Sequence, residues 1–80
     1  MDARELENKM GYLGMERSAR RILIDEKLAT AEEVAFMTCV EACEKLLEYY
    51  EVVSCEAEDI TIVKREDMST YNSIVRYLSR

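Results

Sequence analysis

"TAEEVAFMTCVEACEKLLEYYEVV", residues 30–53, is the stretch that decides the fold. It opens with Thr30-x-x-Glu33, the spacing of a capping box, in which threonine and glutamate each accept a hydrogen bond from the other's backbone N–H. No proline or glycine interrupts the following residues. The pattern predicts one long central helix that begins at Thr30 and ends between Tyr50 and Val53.

Apolar residues form two parallel series along this predicted helix, each stepping by threes and fours. The first series is Ala35, Cys39, Ala42, Leu46, Tyr49 and Val53, and the second is Phe36, Val40, Cys43, Leu47 and Tyr50. Each series is a heptad seam, and together they are wider than the roughly 100° stripe of an ordinary surface helix. We therefore expect a central position for this helix, with surplus apolar surface that would suit a homodimer.

Helices are also predicted ahead of this stretch. Asp2 has the spacing of a helix cap, and Gly11 is the predicted end of a short first helix. The segment "GYLG", residues 11–14, is the clearest break in the chain. A second helix is predicted over residues 15–28, where apolar residues recur at helical spacing.

The pattern changes after the central helix. "DITIVKR", residues 59–65, has the β-branched content of a strand and can pair with "EVVSC", residues 51–55, as a hairpin. A last helix over residues 67–79 has an apolar face formed by Met68, Tyr71, Ile74, Val75 and Leu78. The predicted fold is mainly α: one compact domain over residues 1–80, with three to four helices, a long central one, and a short β-hairpin or strand near residues 51–65. An α+β fold is the alternative.

Composition limits the class of protein. The 80 residues carry a net charge of −6, with three cysteines and no histidine. This charge argues against direct nucleic-acid binding and favours a basic protein partner. An odd cysteine number fits a reducing cytosol, and neither a signal-peptide core nor an apolar run of bilayer length is present. We expect a cytoplasmic protein, complete from Met1, without membrane association.

Carboxylates are concentrated in the middle of the chain, where residues 28–59 hold nine of them against one lysine. Four fall at steps of three, four and three, which predicts an acidic stripe of about 15 Å on the outer side of the central helix: Glu41, Glu44, Glu48 and Glu51. The acidity continues into the next turn through Glu56, Glu58 and Asp59. The stripe is either a solvated, solubilising face or a surface that docks on a basic protein. Two tyrosines are further contact candidates: Tyr12, which lies in the glycine break, and Tyr77, which lies off the apolar face of the last helix.

The cysteines are predicted to have a packing role. Cys39 and Cys43 lie one helical turn apart, but a structural zinc site normally takes four protein ligands, and the chain has no histidine. Both lie in the apolar seams, where a free cysteine behaves as a small hydrophobe. We therefore expect both to be buried, with no metal and no other cofactor.

Catalysis is not predicted. A histidine-dependent triad is excluded by composition, and solvated carboxylates in one stripe lack the contrasting environments that acid–base catalysis needs. The expected protein is therefore not an enzyme.

A basic cluster on the second predicted helix offers an alternative. It consists of Arg17, Arg20 and Arg21. Arginines on a helix that precedes another helix would suit DNA phosphates. However, Glu16 is placed to pair with Arg20, and Asp25 and Glu26 interrupt the basic face. The favoured interpretation is that the surface of the second helix carries several ion pairs.

These features together predict a small acidic, non-enzymatic protein-binding module, an inhibitor or regulator that docks an acidic helix face on a basic surface of a larger partner. Chains of this size and charge recur among inhibitors carried by phages and mobile elements, including anti-restriction and anti-CRISPR proteins that act on nucleic-acid-binding host defence proteins. No motif assigns the chain to such a family. The alternative is a homodimeric structural or DNA-binding regulatory protein.

Overall fold

The computed structural model describes residues 1–15 and 17–79. The fold is mainly α with one β-hairpin, as the sequence predicts. Its elements are α1 (Ala3–Tyr12), α2 (Ser18–Asp25), α3 (Ala31–Ala35), α4 (Cys39–Tyr49), β1 (Tyr50–Cys55), β2 (Ile60–Lys64), a 3₁₀ turn (Arg65–Asp67) and α5 (Met68–Leu78). The chain forms two compact units, Met1–Glu48 and Tyr49–Arg80. The single domain over residues 1–80 stays a prediction.

Helix α1 starts at the predicted cap but ends later than predicted. The Asp2 carboxylate accepts a hydrogen bond of 2.9 Å from the Glu5 N–H. Gly11 lies inside the helix, and Gly14 has the left-handed φ of 72°. The N–H groups of Gly14 and Met15 bond to carbonyls of the last turn, which is a Schellman ending.

Helix α2 is shorter than the predicted helix over residues 15–28, because it ends in the same motif with a lysine in the glycine position. Lys27 has φ 58°, and the N–H of Leu28 donates to the carbonyl of Leu23 at 2.8 Å. The glutamate at position 16, which was predicted to pair with Arg20, lies outside the described residues.

The predicted central helix is present as two helices. The Thr30–Glu33 capping box forms, with both hydrogen bonds at 3.1 Å. Helix α3 then ends at Ala35, and α4 begins after Thr38. The physical reason is a second capping box, Thr38–Glu41, whose two reciprocal hydrogen bonds are also 3.1 Å long. The threonine starts a new helix where the apolar pattern alone predicted a continuous one.

The break changes which residues of the two predicted seams are buried. Ala42, Cys43 and Leu46 are buried in α4, and Tyr50 is buried at the start of β1. By contrast, Phe36 is 84% exposed, because α3 ends just before it. The described residues of the first unit include nine buried apolar side chains: Leu6, Met10, Ala19, Leu23, Ala29, Val34, Ala42, Cys43 and Leu46.

The second unit consists of the hairpin and α5. Strand β1 pairs with β2 in antiparallel register, with Tyr50 opposite Lys64 and Cys55 opposite Ile60. A bulge at Val53 interrupts the register between Val52 and Ser54. The two strands thus pair within the chain, as the hairpin near residues 51–65 that the sequence allowed. Helix α5 follows the 3₁₀ turn directly.

Candidate functional site

The predicted acidic stripe does not lie on one helix. Glu41, Glu44 and Glu48 are exposed residues of α4, but Glu51 lies in strand β1 because the helix ends at Tyr49. The side chain of Glu51 forms an ion pair with Arg65, with 3.6 Å between Oε1 and Nη1. The stripe predicted over Glu41, Glu44, Glu48 and Glu51 is therefore corrected to three helical carboxylates and one strand carboxylate.

Glu41 has a structural role within α4. Its carboxylate accepts a hydrogen bond from the Thr38 backbone N–H, and its own N–H donates to the Thr38 hydroxyl. The hydrogen bond from the Thr38 backbone is the main reason why the pKa of Glu41 lies below its ordinary value. A carboxylate that caps its own helix is less available to a partner.

Glu44 and Glu48 differ from Glu41. They lie one helical turn apart on the exposed side of α4. Within residues 1–15 and 17–79, neither carboxylate makes a hydrogen bond or an ion pair. We call this pair the α4 acidic pair. It is the part of the predicted stripe for which the structure gives no internal role.

The acidic turn between β1 and β2 is exposed at all three of its carboxylates, Glu56, Glu58 and Asp59. Two backbone contacts order this turn. The N–H of Glu56 donates to the carbonyl of Asp59 at 2.9 Å, and the Asp59 carboxylate accepts from the N–H of Ile60 at 2.9 Å. The carboxylates are thus presented on a short, hydrogen-bonded turn.

The two tyrosine candidates are both exposed. Tyr12 is 78% exposed at the end of α1, where the ammonium group of Lys9 lies 5.7 Å from its ring centroid. Tyr77 is 74% exposed on α5. Each therefore presents an aromatic ring to solvent, within its own unit.

The three cysteines separate into one buried residue, Cys43, and two exposed ones, Cys39 and Cys55. Cys43 is buried, and burial is the main cause that raises the pKa of its thiol. Cys39, predicted to be buried, is exposed because α4 begins at this residue; an Nη2 of Arg20 lies 3.9 Å from its sulfur. Among the described residues, no group of three or more histidine, cysteine or acidic side chains is placed to hold a metal ion.

The basic cluster is largely engaged in structure. The Arg20 guanidinium donates to the carbonyls of Val34 and Met37, each at 2.5 Å, and so satisfies backbone acceptors at the break between α3 and α4. Arg21 lies 3.8 Å from Asp25 on the helix surface. The sequence contains no direct signal for the Arg20 contacts, because its partners are backbone atoms 14 and 17 residues away.

Sequence reasoning did not address the exposure of the α5 apolar face. Ile74, Val75 and Leu78, predicted to share one apolar face, are 53%, 42% and 74% exposed. The helical pattern identified the face correctly but gave no information on whether anything covers it. In the part of the chain that the structure describes, this is a large apolar surface on a single helix.

The chain matches no protein-family model, no curated protein and no solved structure. No helix within residues 1–15 and 17–79 has the length and apolar character needed to cross a bilayer.

Proposed function

We propose that this chain is a small non-enzymatic protein-binding module, an inhibitor or regulator that docks its acidic residues on a basic surface of a larger protein. The observation that carries the proposal is the α4 acidic pair. Glu44 and Glu48 are exposed, and neither carboxylate contributes a hydrogen bond or ion pair within the described residues.

The electrostatic repulsion between Glu44 and Glu48 supports a role for this pair outside the fold. Like charges at i and i+4 on a helix destabilise it by about 0.2–0.5 kcal/mol. Glu33 and Glu41 offset their charge by capping helices, and Glu51 by pairing with Arg65. Glu44 and Glu48 have no such compensation, so a positively charged partner would remove an existing repulsion.

The charge of the whole chain supports the same class of partner. A net charge of −6 on 80 residues steers the chain toward basic surfaces and repels acidic ones. Proteins that bind nucleic acids present such basic surfaces. A host defence protein that binds nucleic acid and is inhibited by a phage or mobile-element product is the example we propose.

Direct binding to nucleic acid is not part of the proposal. Of the three arginines that would hold phosphates, Arg20 is bound to backbone carbonyls and Arg21 pairs with Asp25. The Arg21–Asp25 pair is the kind of contact predicted for the surface of α2, whereas the Arg20 contacts are hydrogen bonds to backbone carbonyls. Absence of a gel shift on random duplex DNA at low salt and micromolar protein is the expected result.

The experiment is affinity capture from native host extract, followed by mass spectrometry and by titration of the purified partner. We compare the wild-type chain with Glu44→Lys/Glu48→Lys. The matched control, Glu32→Lys/Glu66→Lys, makes the same change in net charge at exposed glutamates outside α4. We expect the α4 variant to bind at least about tenfold more weakly, the control to bind nearly as the wild type, and the affinity to fall with salt.

Two results would contradict the proposal. Equal binding by the α4 variant and the wild type would remove the acidic pair from the docking surface. An affinity that does not respond to salt would show that the partner is not recognised by charge.

A further inference from the structure

Three sulfur-bearing side chains line one cleft in the first unit. The cleft has a volume of about 210 Å³, and its lining includes Met10 from α1 and both Cys39 and Cys43 from α4. Met10 and Cys43 are buried, whereas Cys39 is exposed. The cleft therefore brings a thioether and two thiols to one place, and one of the thiols is open to solvent.

The spacing of the two cysteines suits a shared ion better than a disulfide. Cys39 and Cys43 are free thiols four residues apart in α4, and Cβ atoms at this spacing on a helix lie about 5–6 Å apart. A disulfide needs Cβ atoms about 3.5–4.5 Å apart, so an intact α4 keeps the two sulfurs unbonded. Two thiolates on one ion, with metal–sulfur bonds of about 2.3 Å, hold their sulfurs up to about 4.6 Å apart. The helical spacing allows that separation.

Charged groups around the cleft favour a cation between the two sulfurs. Burial is the largest cause that raises the pKa of the Cys43 thiol, followed by the negative charges of Glu7 and Cys39. Two thiolates here would repel each other and Glu7, and a cation between them offsets that repulsion. An Nη2 of Arg20 lies 3.9 Å from the Cys39 sulfur, and the N-terminus of α4 adds partial positive charge. A complex of two thiolates and one monovalent cation has a charge of −1, which these positive groups stabilise.

The sulfur ligands select the class of ion. Thiolate and thioether sulfurs prefer soft cations such as Cu⁺, which is stable with two or three sulfur ligands. Zinc in a structural site takes four protein ligands, and within residues 1–15 and 17–79 no three histidine, cysteine or acidic side chains are placed to hold a metal. The ligand number of zinc, which disfavours it at Cys39 and Cys43, places no such limit on a monovalent soft cation.

We propose that this cleft binds one monovalent soft cation of the Cu⁺ class through the thiolates of Cys39 and Cys43 and the thioether of Met10. On binding, each thiol releases its proton to water and forms a bond to the ion, and the thioether donates a lone pair. The ion stays in the +1 state, so no electron is transferred. Gly11 also lines the cleft, and the space at its Cβ position is open to at least 4 Å, which leaves a path of entry. The site does not rest on the proposed docking function, because the α4 acidic pair supplies none of its ligands.

The test is an anaerobic titration of the reduced full chain with Cu⁺, in competition with the chromogenic chelator bicinchoninate. The expected result is one ion per chain, with a thiolate-to-metal charge-transfer band in the ultraviolet. Native mass spectrometry should show one chain with one copper. Ag⁺, a second soft monovalent ion, should bind with the same stoichiometry.

Variants assign the ligands. Cys39→Ser should weaken Cu⁺ binding at least about hundredfold, because a direct ligand contributes more than an outer-shell contact. Cys39 is exposed, so this variant should fold, and circular dichroism checks that it does. Cys43→Ala should have the same effect on binding. Met10→Leu, which nearly conserves volume, should weaken binding about tenfold. Cys55→Ser is the matched control, because it removes an exposed thiol in the second unit, and it should bind as the wild type does.

Three results would contradict the proposal. Equal affinity of Cys39→Ser and the wild type would overturn it. So would a complex of two chains with one copper that is lost in Cys55→Ser, because exposed thiols of different copies would then hold the ion. Wild-type affinity in Met10→Leu would overturn the three-sulfur site.

Discussion

Residues 1–48 contain nine buried apolar side chains, whereas within residues 49–79 Tyr50 alone is buried. Composition does not explain the difference, because apolar residues are 24 of 48 in the first unit and 15 of 32 in the second. The first unit has four helices, and each of them contributes at least one buried apolar side chain. The second has one hairpin and one helix, which leaves the end of the α5 face open. An apolar pattern therefore predicts which residues share a face, while burial depends on how many other elements are present to cover it.

The largest expected effect compares two leucines on helices of equal length. Leu46→Ala removes a fully buried side chain from α4 and should lower the free energy of unfolding by about 2–5 kcal/mol. Leu78→Ala makes the same change on α5, where the leucine is 74% exposed, and should change it by less than about 0.5 kcal/mol. Urea unfolding followed by circular dichroism, at concentrations where the chain is monomeric, measures both. Equal losses would show that the two units do not differ in the way their burial indicates.

A second prediction concerns the tie between α2 and the α3–α4 break. Arg20→Met leaves the Val34 and Met37 carbonyls without their charged donor and should lower the free energy of unfolding by about 1.5–3 kcal/mol. Arg21→Met is the control, because the Arg21–Asp25 pair is exposed and such pairs contribute about 0–1 kcal/mol. Chemical denaturation of the two variants in parallel gives the comparison. A loss in Arg21→Met as large as that in Arg20→Met would mean that the charge of α2, and not the carbonyl contacts, stabilises the first unit.

The smallest expected effect is in the pH dependence of stability. Hydrogen bonds from the capping threonines lower the pKa of Glu33 and Glu41, both in the first unit, from an ordinary value of 4.5. Since the folded-state pKa is depressed, the stability these groups contribute is present above pH 4.5 and is lost as the pH falls through the lower folded values. Urea midpoints between pH 7 and pH 3 should therefore decrease, and Glu41→Gln should make the decrease smaller. Glu48→Gln, which removes an exposed α4 carboxylate that makes no hydrogen bond, serves as the control, and an equal change in both variants would contradict the prediction.

The sequence predicted where helices and the hairpin begin better than it predicted where the helices end. The Asp2 cap, the Thr30–Glu33 box and the two-stranded hairpin are all present. The predicted ends of α1 and α2 were wrong. Each observed end depends on one residue in a left-handed conformation, which is Gly14 for α1 and Lys27 for α2. A lysine carries no signal for that conformation.

The break between α3 and α4 had a signal that the apolar pattern concealed. Thr38-x-x-Glu41 has the same spacing as Thr30-x-x-Glu33, but it lies inside a run that satisfies helical periodicity. Competition between a cap and a continuous helix is decided partly by tertiary contacts, here those of Arg20 with the freed carbonyls. For the same reason the acidic stripe was predicted too long: its register assumed a helix that continues through Glu51.

The two capping boxes make residues 36 and 37 a joint at which chain length is tolerated. In an uninterrupted helix, one inserted residue would rotate everything after it by 100° and turn Ala42 and Leu46 away from the interior. Here Thr38 restarts the helix, so the side of α4 that faces inward is fixed relative to its own first residue. An insertion at this joint changes where α4 begins without changing the order of its faces. Evolutionary or engineered length variation in the helical unit should therefore be tolerated better at the joint than a few residues later, although an insertion there would displace the Met37 carbonyl that accepts from Arg20.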